Sequence, residues 1–180
     1  MLGSSTLCDA GFLQVSRKRV VGPDGGEFDR HVVHHPGAVV VVPVDADGSV
    51  LMVRQWRVAV GSALLELPAG KRDVAGEAPE ATAARELEEE LGRVPGRLTA
   101  LCEFYNSPGF CDEYSHVFLA TDLSESERAA TSAEELAMTI ENVAFPEIEA
   151  RIAARDIVDA KSIIGLLLAR EFLAGDFPGI

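Results

Sequence analysis

Three acidic residues, Glu86, Glu89 and Glu90, are spaced so that one helix would carry them along a single edge. An α-helix turns by about 100° per residue, which makes residues three and four apart neighbours on its surface. Carboxylates this close repel one another, and oxygen ligands of this kind suit Mg²⁺ or Mn²⁺, which bridge carboxylates to substrate phosphates. The spacing therefore favours a metal site for phosphate chemistry, although acidic runs such as RELEEEL also form ordinary solvated helix faces.

The residues around these acids predict the helix that must position them. Pro79 suits a first helical position and Gly92 suits the residue after a helix, so the pattern predicts a helix over Pro79–Leu91. Apolar residues on the adjacent face, among them Leu87, would pack into the core. The segment LLELPAGK before the helix predicts a short strand and a loop that leads to the acidic edge.

The same segment resembles the Nudix box, in which Gly is followed after five residues by Glu, and after seven more by Arg-Glu-aliphatic-any-Glu-Glu-any-Gly-aliphatic. The matching positions are Gly70, Glu77, Arg85, Glu86, Leu87, Glu89, Glu90 and Gly92. Six residues instead of five separate Gly70 from Glu77, and Arg93 replaces the final aliphatic residue. Neither departure involves the three acids, so the resemblance implies a metal-dependent hydrolase of nucleoside diphosphates linked to another group.

The resemblance also implies a role for each residue of the box. The catalytic metal ligands would be Glu86, Glu89 and Glu90, with the backbone carbonyl of Ala69 as an additional ligand. The ion would be Mg²⁺, with Mn²⁺ as the alternative. Structural roles in loop and helix would fall to Gly70, Glu77, Arg85 and Gly92.

Three segments outside the box are similar to the ADP-ribose pyrophosphatase branch of the Nudix family: VRQWR followed by LLELPAG, SPGFCDE, and DIVDAKSIIGLLLA. The resemblance implies substrate-binding roles for Arg57, Trp56, Glu66, Gly109 and Phe110. The residue types leave alternatives open. Arg57 could hold a phosphate through its planar fork or be a surface charge, and Glu66 could contact a sugar hydroxyl or pair with Arg57. Trp56 could stack on adenine or be packed, and Phe110 could line the pocket or cap its loop.

The branch resemblance implies hydrolysis of ADP-ribose to AMP and ribose 5-phosphate, with a general base on a later loop. Glu134 and Glu135 both remain candidates for that base, because TSAEELAMTI precedes a predicted strand, and either could instead be a solvated loop acid. The alternative functions are hydrolysis of a nucleotide-sugar, dinucleoside polyphosphate or coenzyme A derivative, and non-catalytic binding of ADP-ribose by a Nudix-like regulator.

Composition limits the classes of partner. The 180 residues are 47% hydrophobic and carry a formal net charge of −13, which favours a globular chain and argues against a nucleic-acid partner. The longest apolar runs are far shorter than the roughly 18–20 residues of a membrane span. Three cysteines without CxxC spacing, and an N-terminus unlike a secretory signal, predict a cytoplasmic protein. The Nudix resemblance implies a small-molecule substrate.

The order of predicted elements favours an α/β fold of Nudix type, an α/β/α sandwich with a mixed β-sheet and an N-terminal β-hairpin region. The hairpin is expected at residues 12–21 and 28–35 around the glycine-rich turn 22–26, with a mobile terminus before it. We expect residues 1–36 to form this β region and residues 37–180 the hydrolase domain. The branch resemblance implies a homodimer built through the N-terminal strands, whereas the residues alone equally allow a hairpin folded on its own domain.

Overall fold

The computed structural model describes residues 1–128 and 133–180, and the side chains of all of these except residues 133 and 134. The strands are β1 (Gly3–Ala10), β2 (Leu13–Val21), β3 (Glu27–His34), β4 (Ala38–Pro43), β5 (Ser49–Arg57), β6 (Ser62–Glu66), β7 (Ala69–Lys71), β8 (Arg93–Val94), β9 (Arg97–Tyr105), β10 (Tyr114–Thr121), β11 (Ser124–Glu125) and β12 (Thr139–Ala144). The helices are α1 (Pro79–Leu91), α2 (Ala133–Ala137), α3 (Ile148–Ala153) and α4 (Ala160–Ala174).

The central sheet is mixed and has the order β7-β4-β10-β9. Strand β4 runs parallel to β10, whereas β7 and β9 join the sheet antiparallel. The four valines of β4 are all fully buried, which a strand achieves only when both of its faces are covered. Val39 and Val41 pack into the cluster that includes α1, and Val40 and Val42 into the cluster that includes α4. The sheet therefore lies between helices, as expected for an α/β/α sandwich.

A second sheet, with the order β12-β5-β6, contributes to both core clusters. The alternation along β5 explains how, because successive side chains of a strand point to opposite faces. Val50 and Met52 join the α4 cluster, and Leu51 and Val53 join the α1 cluster. The end of β5 then leaves the core, and Gln55 and Arg57 near this end line a large cavity.

The N-terminal region is a three-stranded antiparallel sheet, β1-β2-β3, instead of the expected hairpin. The glycine-rich turn joins β2 to β3 as predicted, and the Gly22 N–H donates to the Gly26 carbonyl at 2.8 Å. The expectation of a mobile terminus is wrong, because Gly3–Ala10 pairs with β2 along its length. All eight residues of β1 are exposed, so this strand is held by backbone pairing and has no buried apolar face that would mark it in the sequence.

The C-terminal part of the chain closes the second face of the sandwich. The sequence predicts a helix at about residues 146–154, and in the structure this segment starts as a 3₁₀ turn at Phe145–Glu147 and continues as α3. Asp159 caps α4 by accepting a hydrogen bond from the Ser162 N–H at 2.9 Å, which satisfies one of the free donors of the first helical turn. Among the helices of the described residues, none is long and apolar enough to cross a membrane.

Candidate active site

Helix α1 presents an apolar face to the core and an acidic edge to a cavity. Its start is set by Pro79 after an extended Ala78, and its end by Gly92, whose φ of 63° is left-handed and whose N–H bonds back to Glu88. Ala83 and Leu87 are fully buried in the α1 cluster. That packing orients the helix so that Glu86, Glu89 and Glu90 line one cavity of about 760 Å³.

Gly70 lies directly against Glu86, at the point where β7 passes beneath α1. A β-carbon at residue 70 would lie 1.8 Å from Cδ and 2.1 Å from Oε1 of Glu86, far inside van der Waals contact. The Glu86 side chain therefore uses the space that only glycine leaves open. This contact is the structural reason for a glycine ahead of the acidic helix.

Glu90 is the most deeply buried of the three acids, with 5% of its surface exposed. Within the described residues its Oε2 has no hydrogen-bond partner. Burial raises the pKa of Glu90 to about 8, and the neighbouring charge of Glu86 adds to the rise, while a backbone hydrogen bond at Ala69 and the charge of Arg57 oppose it. A buried carboxylate oxygen left without a partner beside a second carboxylate is costly unless a cation joins it.

Arg85 holds the other two acids and the loop before the helix. Its Nη1 lies 2.8 Å from Glu86 Oε1 and 3.0 Å from Glu89 Oε2. Its Nη2 lies 3.4 Å from Glu77 Oε2, which in turn accepts a hydrogen bond from Thr82 Oγ1 at 2.7 Å. Arg85 and Glu77 thus tie the loop to α1. In this arrangement no three acidic, His or Cys side chains of the described residues close around one point.

The donor set nevertheless fits a divalent cation. Carboxylate oxygens are the ligands that Mg²⁺ and Mn²⁺ prefer. Oε2 of Glu90 has no partner among the residues described, and the neighbouring charge of Glu86 disfavours ionised Glu90. The backbone of Ala69 reaches Glu90, and Ala69 also lines the cavity. A doubly charged ion here would offset the repulsion between Glu86 and Glu90.

Arg57 and Glu66 form a two-pronged ion pair at the cavity wall. Arg57 Nε lies 2.9 Å from Glu66 Oε1, and Nη2 lies 2.5 Å from Oε2. Glu66 is 2% exposed, and Arg57 is the charged partner that offsets the burial of its carboxylate. The alternative in which Glu66 pairs with Arg57 is therefore the one observed, and both residues line the cavity.

Trp56, the neighbour of Arg57 on β5, does not line this cavity and is 55% exposed. Because side chains alternate along a strand, Gln55 and Arg57 reach the cavity and Trp56 points to the other face. Gln55 is buried, and its Nε2 has no partner among the described residues. Sequence reasoning selected the aromatic residue and missed the glutamine.

Gly109 and Phe110 also lie away from the acidic cavity. They line a smaller cavity of about 250 Å³ between β3 and the loop at residues 107–113, and Phe110 is 58% exposed. The last residue of that loop, Glu113, does line the large cavity. In a single chain, the structure therefore separates Gly109 and Phe110 from the metal-binding acids.

Of the two candidates for the general base, Glu135 lines the large cavity, and its charge raises the pKa of Glu90. The side chain of Glu134 lies outside the described residues.

Other cavity residues carry no signal in the sequence, because they arrive from distant segments. Among them are Phe12, His35, Glu113, Asp159 and Lys161. Phe12 and His35 come from the N-terminal region, and the last two precede and begin α4. Only the fold brings them to one wall, and no local spacing could have indicated it.

A sequence profile of the NUDIX domain matches residues 33–161. The chain belongs to the Nudix family. Its Nudix box is the segment that supplies the acidic edge, the Arg85 clamp and the Gly70 contact described above.

The relatives agree with this assignment. The chain is 40% identical over 174 residues to the ADP-ribose pyrophosphatase of Mycobacterium tuberculosis strain H37Rv, covering 97% of this chain and 84% of the relative. It is 41% identical over 140 residues to the ADP-ribose pyrophosphatase of Bacillus subtilis, covering 78% and 75%. A crystal structure of an ADP compounds hydrolase superposes with a TM-score of 0.85 at 22% identity, covering 97% of this chain and 93% of that one. The last likeness shows that the two chains share one fold over nearly their whole length.

Proposed function

We propose that this Nudix chain hydrolyses ADP-ribose to AMP and ribose 5-phosphate with the help of a divalent cation. The observation that carries the proposal is the buried carboxylate oxygen of Glu90 beside Glu86, which has no partner in the part of the chain that the structure describes and lies in a cavity large enough for a nucleotide. The substrate comes from the relatives at about 40% identity that are named ADP-ribose pyrophosphatase.

The residues that would hold the ion are Glu86, Glu89, Glu90 and the backbone carbonyl of Ala69. We propose Mg²⁺, with Mn²⁺ as the alternative, because all of these donors are oxygens. Such an ion, when bound, neutralises charge on the diphosphate and lowers the pKa of a water molecule. Arg85 keeps Glu86 and Glu89 side by side, so that the carboxylates need little rearrangement.

Positive side chains around the cavity would receive the diphosphate. Arg57 is bound to Glu66 through Nε and Nη2, which fixes the guanidinium at the cavity wall and leaves Nη1 as a further donor. Lys71 and Lys161 line the same cavity. In a chain with a net charge of −13, these cations create a local attraction for an anionic substrate.

The general base is proposed to be Glu135, with Glu134 as the alternative. Glu135 is favoured because it lines the cavity. The variants Glu135→Gln and Glu134→Gln, assayed separately, decide between them: the base is the residue whose loss lowers kcat by about a hundredfold or more. Full activity in both variants would place the base elsewhere.

The test of the function is a chromatographic product analysis with ADP-ribose, a nucleotide-sugar, a dinucleoside polyphosphate and a coenzyme A derivative. Each is incubated with Mg²⁺, Mn²⁺ or EDTA. We expect AMP and ribose 5-phosphate from ADP-ribose with the metals and no product with EDTA. Faster cleavage of another compound, or binding of ADP-ribose without cleavage, would contradict the proposal.

Matched variants on one helix separate the acids. Glu90→Gln removes a carboxylate from the cavity, and Glu88→Gln makes the same change at a residue that hydrogen bonds Ser126 Oγ at 2.6 Å and does not line it. We expect Glu90→Gln to abolish turnover and Glu88→Gln to keep it. Metal-dependent hydrolysis by Glu90→Gln would remove Glu90 from the site.

We also propose that the protein is a homodimer in which residues 1–36 contribute to the interface. Support comes from two exposed apolar side chains, Leu2 just before β1 and Leu7 on it, and from the exposure of Phe110 outside its own chain's large cavity. Light scattering after size exclusion should give twice the 19.2 kDa mass of the chain. A monomer at assay concentration would contradict this proposal.

A further inference from the structure

Asp112 joins two consecutive histidines of the segment that leads into β4. Its Oδ2 accepts a hydrogen bond from His34 Nδ1 at 2.5 Å, and its Oδ1 accepts from the His35 N–H at 2.9 Å. The far nitrogen of His34, Nε2, lies 2.8 Å from Ser16 Oγ on β2. Both oxygens of this partly exposed carboxylate are thus committed to the N-terminal region.

The backbone around Asp112 is joined to the same segment. The Val33 N–H donates to the Phe110 carbonyl at 2.7 Å, and the Asp112 N–H donates to the Val33 carbonyl at 3.1 Å. Val33 and Cys111 pair as an isolated parallel bridge. Side chain and backbone therefore fix the loop at residues 107–113 against the end of β3.

The residues next to this junction, His35 and Glu113, both line the large cavity. His35 Nδ1 accepts a hydrogen bond from the Gly37 N–H at 3.1 Å, so the proton of the neutral ring lies on Nε2. Burial lowers the pKa of His35, and Lys71 and Lys161 lower it further while Glu113 and Asp112 oppose them. A neutral N–H donor and a carboxylate acceptor thus share this wall.

The wall also has an apolar component. The Phe12 ring meets the His35 ring edge to face with centroids 5.7 Å apart, and Lys71 Nζ lies 4.8 Å from the Phe12 centroid. The β1–β2 turn thereby closes over His35. A donor, an acceptor and a ring face together are suited to the hydroxyl groups and apolar face of a ribose.

We propose that Asp112 is a positioning residue for substrate binding, which fixes His35 and Glu113 so that they can hold ribose hydroxyls of the substrate. The inference rests on the proposed function for its substrate and extends it to residues outside the Nudix box. Asp112 does not itself line the large cavity, so it acts through its two neighbours.

The test is steady-state kinetics with ADP-ribose for Asp112→Ala and Asp112→Asn. Because the loss releases groups that bind the substrate and leaves the metal-binding acids in place, we expect KM to rise about tenfold with kcat within about twofold. Asparagine keeps one acceptor oxygen, so its KM should lie between those of wild type and Asp112→Ala. If Asp112→Ala does not fold, Asp112→Asn alone carries the test.

The matched control is Asp24→Ala, which makes the same change in the exposed β2–β3 turn, where Asp24 accepts from the Gly26 N–H. It should leave KM and kcat unchanged. Product inhibition by AMP and by ribose 5-phosphate identifies which ribose is held, because the product that carries this ribose should inhibit Asp112→Ala more weakly than wild type. Weaker inhibition by either product supports the inference. Unchanged inhibition by both, or a lower melting temperature with unchanged KM, would show a merely structural role and overturn it.

Failure of the proposed function gives a different result. If wild type does not hydrolyse ADP-ribose, calorimetric titration of ADP-ribose in EDTA still tests Asp112. A Kd about tenfold weaker in Asp112→Ala would support the inference without hydrolysis, and an equal Kd would overturn it.

Discussion

The Glu86 carboxylate occupies the place of a missing side chain at Gly70, with its Cδ 1.8 Å from where a β-carbon would be. The contact joins β7 to α1 at the centre of the proposed metal site. Because the atoms in contact belong to the end of a flexible side chain, a larger residue at position 70 would displace Glu86 and leave the backbone in place.

We therefore predict that Gly70→Ala lowers kcat/KM by about a hundredfold or more while the protein remains folded. Steady-state assays measure kcat/KM, and circular dichroism shows whether the variant is folded. Gly3→Ala is the matched control, since a β-carbon there meets nothing within 4 Å. Wild-type activity in Gly70→Ala would show that Glu86 can move without consequence for turnover.

Glu90 should make the metal-free protein less stable as the pH rises. Its pKa is about 8 when folded and about 4.5 when unfolded, so between these values the folded state binds more protons. The stability that protonated Glu90 provides is therefore fully present below about pH 4.5, and it is lost progressively as the pH rises from about 4.5 to about 8. We predict that Glu90→Gln, which stays neutral, exceeds wild type in free energy of unfolding at pH 8 by on the order of 4 kcal/mol.

Urea unfolding in EDTA at pH 5 and pH 8 measures this difference. The comparison of wild type with Glu90→Gln removes the contributions of the other groups that titrate in both proteins. A difference that is the same at both values would mean that Glu90 titrates normally.

Divalent cations should stabilise the wild-type protein through the same carboxylate. A ligand that binds only the folded state adds about 2.7 kcal/mol at a hundred times its Kd, which is roughly 5–10 °C for a chain of this size. We expect Mg²⁺ to raise Tm of wild type and of Glu88→Gln, and to leave Tm of Glu90→Gln unchanged. An equal rise in all three proteins would indicate binding elsewhere.

Breaking the Arg57–Glu66 pair should cost more than breaking an exposed pair. Arg57→Ala leaves the 2% exposed Glu66 without its partner, and we predict a loss of about 2–3 kcal/mol in the free energy of unfolding. Arg19→Ala is the control, because Arg19 is exposed and lies 3.5 Å from Glu27, a pair worth about 0–1 kcal/mol. Adding Glu66→Gln to Arg57→Ala should restore part of the loss; no recovery would mean that the buried charge is not the cause.

The elements with strong local signals were predicted well. Helix α1 begins at Pro79 and ends at Leu91 as expected, since a proline, a left-handed glycine and an apolar face all indicate the same element. The sequence likewise predicts a strand near Tyr114–Thr121 and a helix near Ala160–Ala174, and these are the bounds of β10 and α4. In each case the residues that decide the structure lie within the element itself.

The parts that depend on distant contacts could not be predicted. Strand β1 is exposed throughout, and only its pairing with β2 makes it a strand. The orientation of Trp56 away from the cavity depends on the register of β5. The position of His35 depends on a hydrogen bond to Asp112, which is 77 residues away. Spacing along the chain contains no information about such approaches.

The four consecutive valines of β4 have a consequence for folding. In most strands, a shift of pairing by one place exposes apolar groups and buries polar ones, which makes the wrong alignment costly. Here a slipped strand would offer the same isopropyl groups to both layers, so the side chains hardly distinguish one alignment from the next. The correct alignment must then be selected at the ends, by Gly37 with its φ of 92° and by Pro43, which lacks an N–H to donate.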